Sequence, residues 1–185
     1  MKNILLIGLK LTIICAVAAL SLAMVNAATA PRIEKLKIQA LEEALSVINS
    51  TGKPGNEILI DDSIVKGYYP VLLENGEKAS YILTLRGDGY AGDLKILANY
   101  EKTGKLIACI LMDNQETPGL GKEAEKIEYM DKFIGTGSDK PVPVKKSQLP
   151  PEEADAIGGA TITFTGIAKA LEYGSGFIEK IGEQP

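Results

Sequence analysis

Residues 87–104 read GDGYAGDLKILANYEKTG. Two folds compete for this stretch. Its first six residues match the glycine pattern of dinucleotide-binding domains letter for letter, and a strand-like run precedes them. Asp113 ends a second strand 21 residues beyond Gly92, near where a ribose would want an acid. Dinucleotide binding, however, needs a helix directly after the glycines, because the helix N-terminus holds the pyrophosphate. Here Leu94, Ile96 and Ala98 alternate as in a strand, and Lys102-Thr103-Gly104 turns the chain back. The glycines therefore mark a tight turn between strands, and the expected fold is α+β rather than doubly wound α/β.

The neighbouring segments extend that pattern. After the turn cluster Gly52-Lys53-Pro54-Gly55, strands are expected at Glu57–Ile60, Tyr69–Leu73, Ala79–Leu85, Asp93–Tyr100 and Leu106–Met112, with Asn75-Gly76 as a hairpin turn. A loop at 114–121 follows. Residues 122–134 read as a helix with Ile127, Met130, Phe133 and Ile134 inward, and 135–151 as loop or edge strand, interrupted by prolines. A last helix is expected to start near Thr163–Thr165 and run to Glu172, with a second short turn through Phe177–Ile181. Hairpin-connected strands with helices at the ends describe an antiparallel sheet with flanking helices.

Composition removes several kinds of chemistry. The chain has 185 residues, 45% of them hydrophobic, and a formal charge of −4. The first 30 residues hold two lysines and no acid, so the acidic balance belongs to the rest; such a domain lacks the basic footprint nucleic acid requires. There is no histidine, which excludes histidine triads and histidine–zinc sites. The two cysteines, Cys15 and Cys109, are too few for a four-thiolate metal site and read as buried thiols acting as small apolar residues. No metal site and no catalytic group is expected, so any redox chemistry must come from a borrowed cofactor.

The N-terminus is a membrane-segment candidate. A lysine at the bilayer centre costs roughly 2.5–3.5 kcal/mol, which puts Lys10 at an edge. Leu11–Ala30 would then span about 30 Å as a helix, the hydrocarbon thickness. Lys2 and Lys10 favour a cytoplasmic N-terminus and an extracytoplasmic domain, while Arg32, Lys35 and Lys37 on the far side pull the other way. A cleaved signal peptide is the alternative, since Val25-Asn26-Ala27 resembles a small-residue cleavage site. Beyond the span, Ile33, Leu36, Ala40, Leu41, Ala44, Leu45 and Ile48 share one helical stripe. The expected organisation is an N-terminal tail and single transmembrane anchor over 1–30, a connecting amphipathic helix over 31–52, and an extracytoplasmic domain over 53–185.

One more stretch points to a ligand. In Gly158-Gly159-Ala160-Thr161-Ile162-Thr163, small residues precede a helix start, where unpaired N–H groups and the positive dipole end favour an anion such as phosphate near Thr161. The competing reading makes Thr163 or Thr165 a simple N-cap.

With these residues in hand, DAIGGAT at 155–161 resembles the flavinylation motif of the FMN-binding domain family, found in the G subunit of the Rnf electron-transport complex. The C subunit of the sodium-pumping NADH:quinone reductase shares it. ETPGLG at 116–121 resembles that family's hallmark loop, and GYAG at 89–92 its turn before a central strand. The motif runs Asp, two variable residues, Ser or Thr, Gly, Ala, Thr; a flavin transferase using FAD and magnesium esterifies its last threonine with the FMN phosphate. The resemblance implies covalent FMN on Thr161 and a transferase-recognition or loop role for Asp155, with Gly158 standing where Ser or Thr is usual. It places Gly158, Gly159, Ala160 and Thr163 about the cofactor. In the 116–121 loop, Gly119 and Gly121 would permit close backbone approach, Thr117 donate a hydrogen bond and Leu120 cover a ring face; alternatively the loop is a Pro-Gly turn with Leu120 in the core. The function implied is a membrane-anchored electron carrier without its own substrate pocket. Its partners would be the other Rnf subunits, in an ion-translocating ferredoxin:NAD⁺ oxidoreductase. A stand-alone extracytoplasmic flavoprotein, a protein like the C subunit of the quinone reductase, and a flavin-free adaptor are the alternatives.

Overall fold

The computed structural model describes residues 2–49 and 52–182. Residues 50–51 of the expected connecting helix and the last three residues of the expected domain lie outside the described residues. The chain divides into two compact units, one up to Glu42 and one from Glu43 onward.

The first unit is the body of α1 (Lys2–Ile48), a helix that runs on without a break through Pro31. It is long and apolar enough to cross a membrane: one window reaches a mean hydropathy of 2.4, none of it buried within the chain. Cys15, expected to be buried, is exposed on this helix.

The second unit is built on an antiparallel sheet. β3 (Val65–Leu72), β4 (Lys78–Asp88), β5 (Asp93–Glu101) and β6 (Leu106–Asp113) lie side by side in chain order, and the two-residue strands β1 (Lys53–Pro54) and β2 (Ile58–Leu59) both pair with β3. Asn75-Gly76 turns β3 into β4 and Lys102–Gly104 turns β5 into β6, as expected. The 89–92 turn joins β4 to β5, closed by a 2.9 Å bond from the Gly89 N–H to the Gly92 carbonyl. Asp88 faces Asp93 directly in the ladder. No helix follows the glycines, and the dinucleotide reading has no structural basis.

The centre of the sheet is covered on both faces, and for that reason β4 and β5 are buried through their middles instead of alternating. On one face Tyr81, Leu83, Leu85, Leu94, Ile96, Ala98 and Tyr100 form the core with α4 (Thr161–Gly182). The Tyr100 hydroxyl donates to the Leu171 carbonyl at 2.9 Å. On the other face Ile82, Leu97 and Asn99 are fully buried, and the Asn99 amide donates to the Ile48 carbonyl at 2.9 Å.

Three expectations need correction. Residues 122–134 do not form one helix. A 3-10 turn (Gly121–Glu125), the short α2 (Ile127–Met130) and a second 3-10 turn (Asp131–Phe133) follow one another, with Met130 and Phe133 inward but Ile127 and Ile134 exposed. The stacked pair Phe133–Phe164, with ring centroids 5.2 Å apart, anchors this stretch on α4. A further helix, α3 (Pro151–Ala156), begins on a proline at its first helical position, where the missing N–H costs nothing. Finally, α4 begins at Thr161 and continues unbroken to Gly182. Gly174 is not a break: a Cβ there would stand 2.7 Å from the Tyr100 hydroxyl, so the glycine lets helix and sheet close up.

Candidate functional site

Ala160 is the N-cap of α4, because its carbonyl accepts the Phe164 N–H at 3.0 Å. Thr161 is therefore the first helical residue, and neither Thr163 nor Thr165 caps the helix. Three β-branched residues at the start are poor helix formers. Tertiary contacts override that preference, and the main one is made by Thr163.

Thr163 is 1% exposed, and its hydroxyl donates to Oε2 of Glu116 at 2.7 Å. Oε1 of the same carboxylate accepts the Ala91 N–H at 3.1 Å, and Glu116 is itself 4% exposed. One buried acid thus ties together the 116–121 loop, the 89–92 turn and the first turn of α4. A side chain at either Gly89 or Gly121 would collide with the Glu116 carboxylate. The Tyr129 hydroxyl is buried with no hydrogen-bond partner among the described residues, and burial, with the nearby Glu116 charge second, pushes it well up. No role for Glu116 follows from the sequence alone; the only signal is a lone acid heading a loop otherwise made of small and apolar residues.

Thr161 is exposed, and its hydroxyl has no hydrogen bond to the described residues. The N–H groups of Thr161, Ile162 and Thr163 meet no acceptor among the described residues either. These donors and the positive end of a 22-residue helix dipole lie at one place. Thr163 contributes its N–H here, its hydroxyl being committed to Glu116.

The approach to Thr161 is open. Gly158, closing α3, has φ of 53°, in the left-handed region that suits glycine, and a Cβ there would meet nothing. Its carbonyl accepts the Lys146 ammonium. Gly159 is exposed and Ala160 buried. Asp155, in the last turn of α3, is exposed, and its carboxylate is free of partners among the described residues. Leu120 is 47% exposed, so it is not the core residue of the alternative reading, and it stands 3.4 Å from where a Gly159 Cβ would be. Gly119 has φ of 77°, and the Thr117 carbonyl accepts the Leu120 N–H at 3.1 Å.

On its other side Thr161 borders a cavity of about 350 Å³ between α4 and the end of β4, lined among others by Arg86, Asp88, Thr165 and Lys169. Arg86 grips Asp93 with two hydrogen bonds of 2.6 and 2.7 Å, and Asp88 lies 3.2 Å away. The Asp93 hydrogen bonds and charge raise the Arg86 guanidinium, and the Arg86 bonds hold Asp93 below the usual carboxylate range. No cluster of three metal-ligating side chains exists among the described residues.

Comparison with known proteins gives the family. Residues 89–174 match the FMN-binding domain family. The G subunit of the Na⁺-translocating ferredoxin:NAD⁺ oxidoreductase complex of Acetobacterium woodii is 29% identical, over 92% of this chain and 89% of that protein. The G subunit of the ion-translocating oxidoreductase complex of Shewanella piezotolerans is 32% identical, over 88% of this chain and 83% of its own length. This chain belongs to the family of these G subunits. Among solved structures, NqrC of Shewanella oneidensis aligns with a TM-score of 0.49 and 17% identity, over 67% of this chain and 69% of that one. The FMN-binding domain of this family member contains the 89–92 turn, the Glu116 loop and the Thr161 helix start, with its long apolar helix N-terminal to them.

Proposed function

We propose that this chain is the membrane-anchored electron-carrying subunit of an ion-translocating ferredoxin:NAD⁺ oxidoreductase complex, and that FMN is joined through its phosphate to Thr161. The observation that carries this reading is the state of Thr161: an exposed, uncommitted hydroxyl on the first helical residue, beside three free N–H groups and a cavity. A phosphoester requires a hydroxyl, and a transferase requires that hydroxyl to be accessible. In the transfer, the threonine oxygen bonds to the FMN phosphorus of FAD, the phosphoanhydride bond to AMP breaks, and the hydroxyl proton leaves to the departing phosphate or solvent. The helix start stabilises the resulting phosphodiester charge by about 0.3–1 kcal/mol, too little to retain a flavin unaided. The covalent bond supplies the retention.

The flavin supplies two-electron and one-electron chemistry that no side chain of this protein offers. The chain's own residues present the attachment oxygen, hold the anion and shape the surroundings. Asp155, free and six residues before the attachment point, is where a flavin transferase would read the loop. The lysines ahead of the span favour an extracytoplasmic domain, with the other subunits of the complex as partners.

Co-expression with a flavin transferase tests the attachment. After denaturing electrophoresis the wild-type band and a Thr165→Val band should fluoresce as flavin, and a Thr161→Val band should not. Fluorescence retained by Thr161→Val would overturn the assignment.

A further inference from the structure

The corner that joins α3 to α4 leads directly into Thr161, and little packing holds it. α3 buries none of its residues, and of residues 157–160 only Ile157 and Ala160 are buried, at 3% and 5% exposure. Gly158 and Gly159 between them are exposed, and a pair of glycines is the freest backbone a corner can have. Inside the corner the Gly158 N–H donates to the Asp155 carbonyl at 3.0 Å and the Ala160 N–H to the Ile157 carbonyl at 3.2 Å. Among the described residues a single side chain from elsewhere bonds to residues 157–160: the Lys146 ammonium donates to the Gly158 carbonyl.

Lys146 makes that bond from an anchored position. It opens a 3-10 turn (Lys146–Gln148) that is closed twice. The Gln148 N–H donates to the Lys145 carbonyl at 3.0 Å, and the Lys145 N–H donates to Oε1 of Gln148 at 2.8 Å. On either side of the turn, Val144 and Leu149 pack against the core. The two lysines here are not equivalent. Lys145 is exposed, whereas Lys146 is half-buried and has no carboxylate within ion-pair distance among the described residues. Its ammonium is given to a backbone carbonyl three residues before Thr161.

We propose that Lys146 is a positioning residue for flavin attachment: by holding the Gly158 carbonyl it keeps the corner in the shape that presents Thr161 to the transferase. The inference rests on the attachment of FMN to Thr161. Without the tie, the glycine pair lets the corner sample other shapes, and the transferase must order it on binding. An acceptor whose competent shape is only partly populated binds more weakly in proportion to that fraction, while the chemistry of the bound state is unchanged. Lys146 therefore acts on KM for this chain and not on kcat.

The test is the rate of attachment with purified components. The full chain, made in cells without a flavin transferase and solubilised in detergent, is mixed with the transferase, FAD and magnesium. Flavin fluorescence of the denatured band is then followed over a range of chain concentrations. Lys146→Met should raise KM about two- to tenfold, the range that one hydrogen bond supplies, at the wild-type kcat. Lys146→Arg, which keeps a charged donor, should restore KM, and Lys145→Met should change neither constant. Melting should be the same in all four proteins, since the tie is local. A Lys146→Met chain with the wild-type KM, with a lowered kcat, or with lower melting would overturn the proposal and leave the attachment standing. So would a Lys146→Arg chain as impaired as Lys146→Met, or an equal rise of KM in Lys145→Met. A wild-type chain that takes up no flavin at Thr161 would overturn the attachment and this inference with it.

Discussion

At the scale of single residues the site depends on a division of labour between two threonines two positions apart. Thr161 keeps its hydroxyl free; Thr163 gives its hydroxyl to Glu116 and fixes the turn on which Thr161 stands. Removing the Thr163 hydroxyl leaves a buried carboxylate short of a donor. Thr163→Val should therefore destabilise the domain by about 1.5–3 kcal/mol, read as a lower urea midpoint at an unchanged slope. A second residue-scale expectation concerns alkaline pH. Burial pushes the Cys109 thiol from 9.0 up to about 12, and burial, aided by a hydrogen bond with Glu57, pushes the Tyr69 hydroxyl from 10.0 up to about 12. The unfolded chain releases these protons first. The stability they contribute is thus complete below about pH 9 and is lost as pH rises toward 12. Urea midpoints should fall across that window, and Cys109→Ala should flatten the lower part of the fall.

At the scale of elements, the close crossing of α4 over the end of β4 is the contact with least tolerance. A methyl group at Gly166 has nowhere to go but into the Asp88 backbone, so Gly166→Ala should cost about 1–3 kcal/mol and reduce flavin attachment at Thr161, both measurable on purified domain. This scale also shows what the sequence made legible. β4, β5 and β6 and their turns were readable, because Asn75-Gly76 and Lys102–Gly104 are strong local signals and the strands between them are apolar. The early start of α4 was not. Its Thr-Ile-Thr opening has a strand-like local preference, and only Glu116, 47 residues away in sequence, and the Phe133 ring make it helical. The single helix expected at 122–134 failed for a related reason: Phe133 and Met130 were inward as expected, but packing them against α4 breaks the stretch into short turns and leaves Ile127 at the surface. Thr161, the proposed attachment residue, stands out through its motif. Glu116, Arg86 and Lys169 do not, since they join the site only through tertiary approach.

At the scale of the whole molecule, the compact unit starts inside α1. Ala44 and Ile48 are buried, and the Ile48 carbonyl accepts the Asn99 amide. A chain beginning at Glu43 should be soluble and unfold cooperatively. A chain beginning at Lys53 should be less stable by about 2–5 kcal/mol, because it leaves apolar surface and a buried amide uncovered. The full-length protein, carrying the apolar part of α1, should sediment with membranes. The domain stays folded around a sheet covered on both sides, and the proposed attachment point is one helix start at its surface.

The central claim is a covalent bond at one oxygen. It is tested most directly by peptide mass spectrometry of the protein purified from cells that contain a flavin transferase. The fragment containing Thr161 should be heavier by FMN less one water, with fragmentation placing the addition on Thr161. The same fragment at its unmodified mass, or with the addition on another residue, would contradict the account.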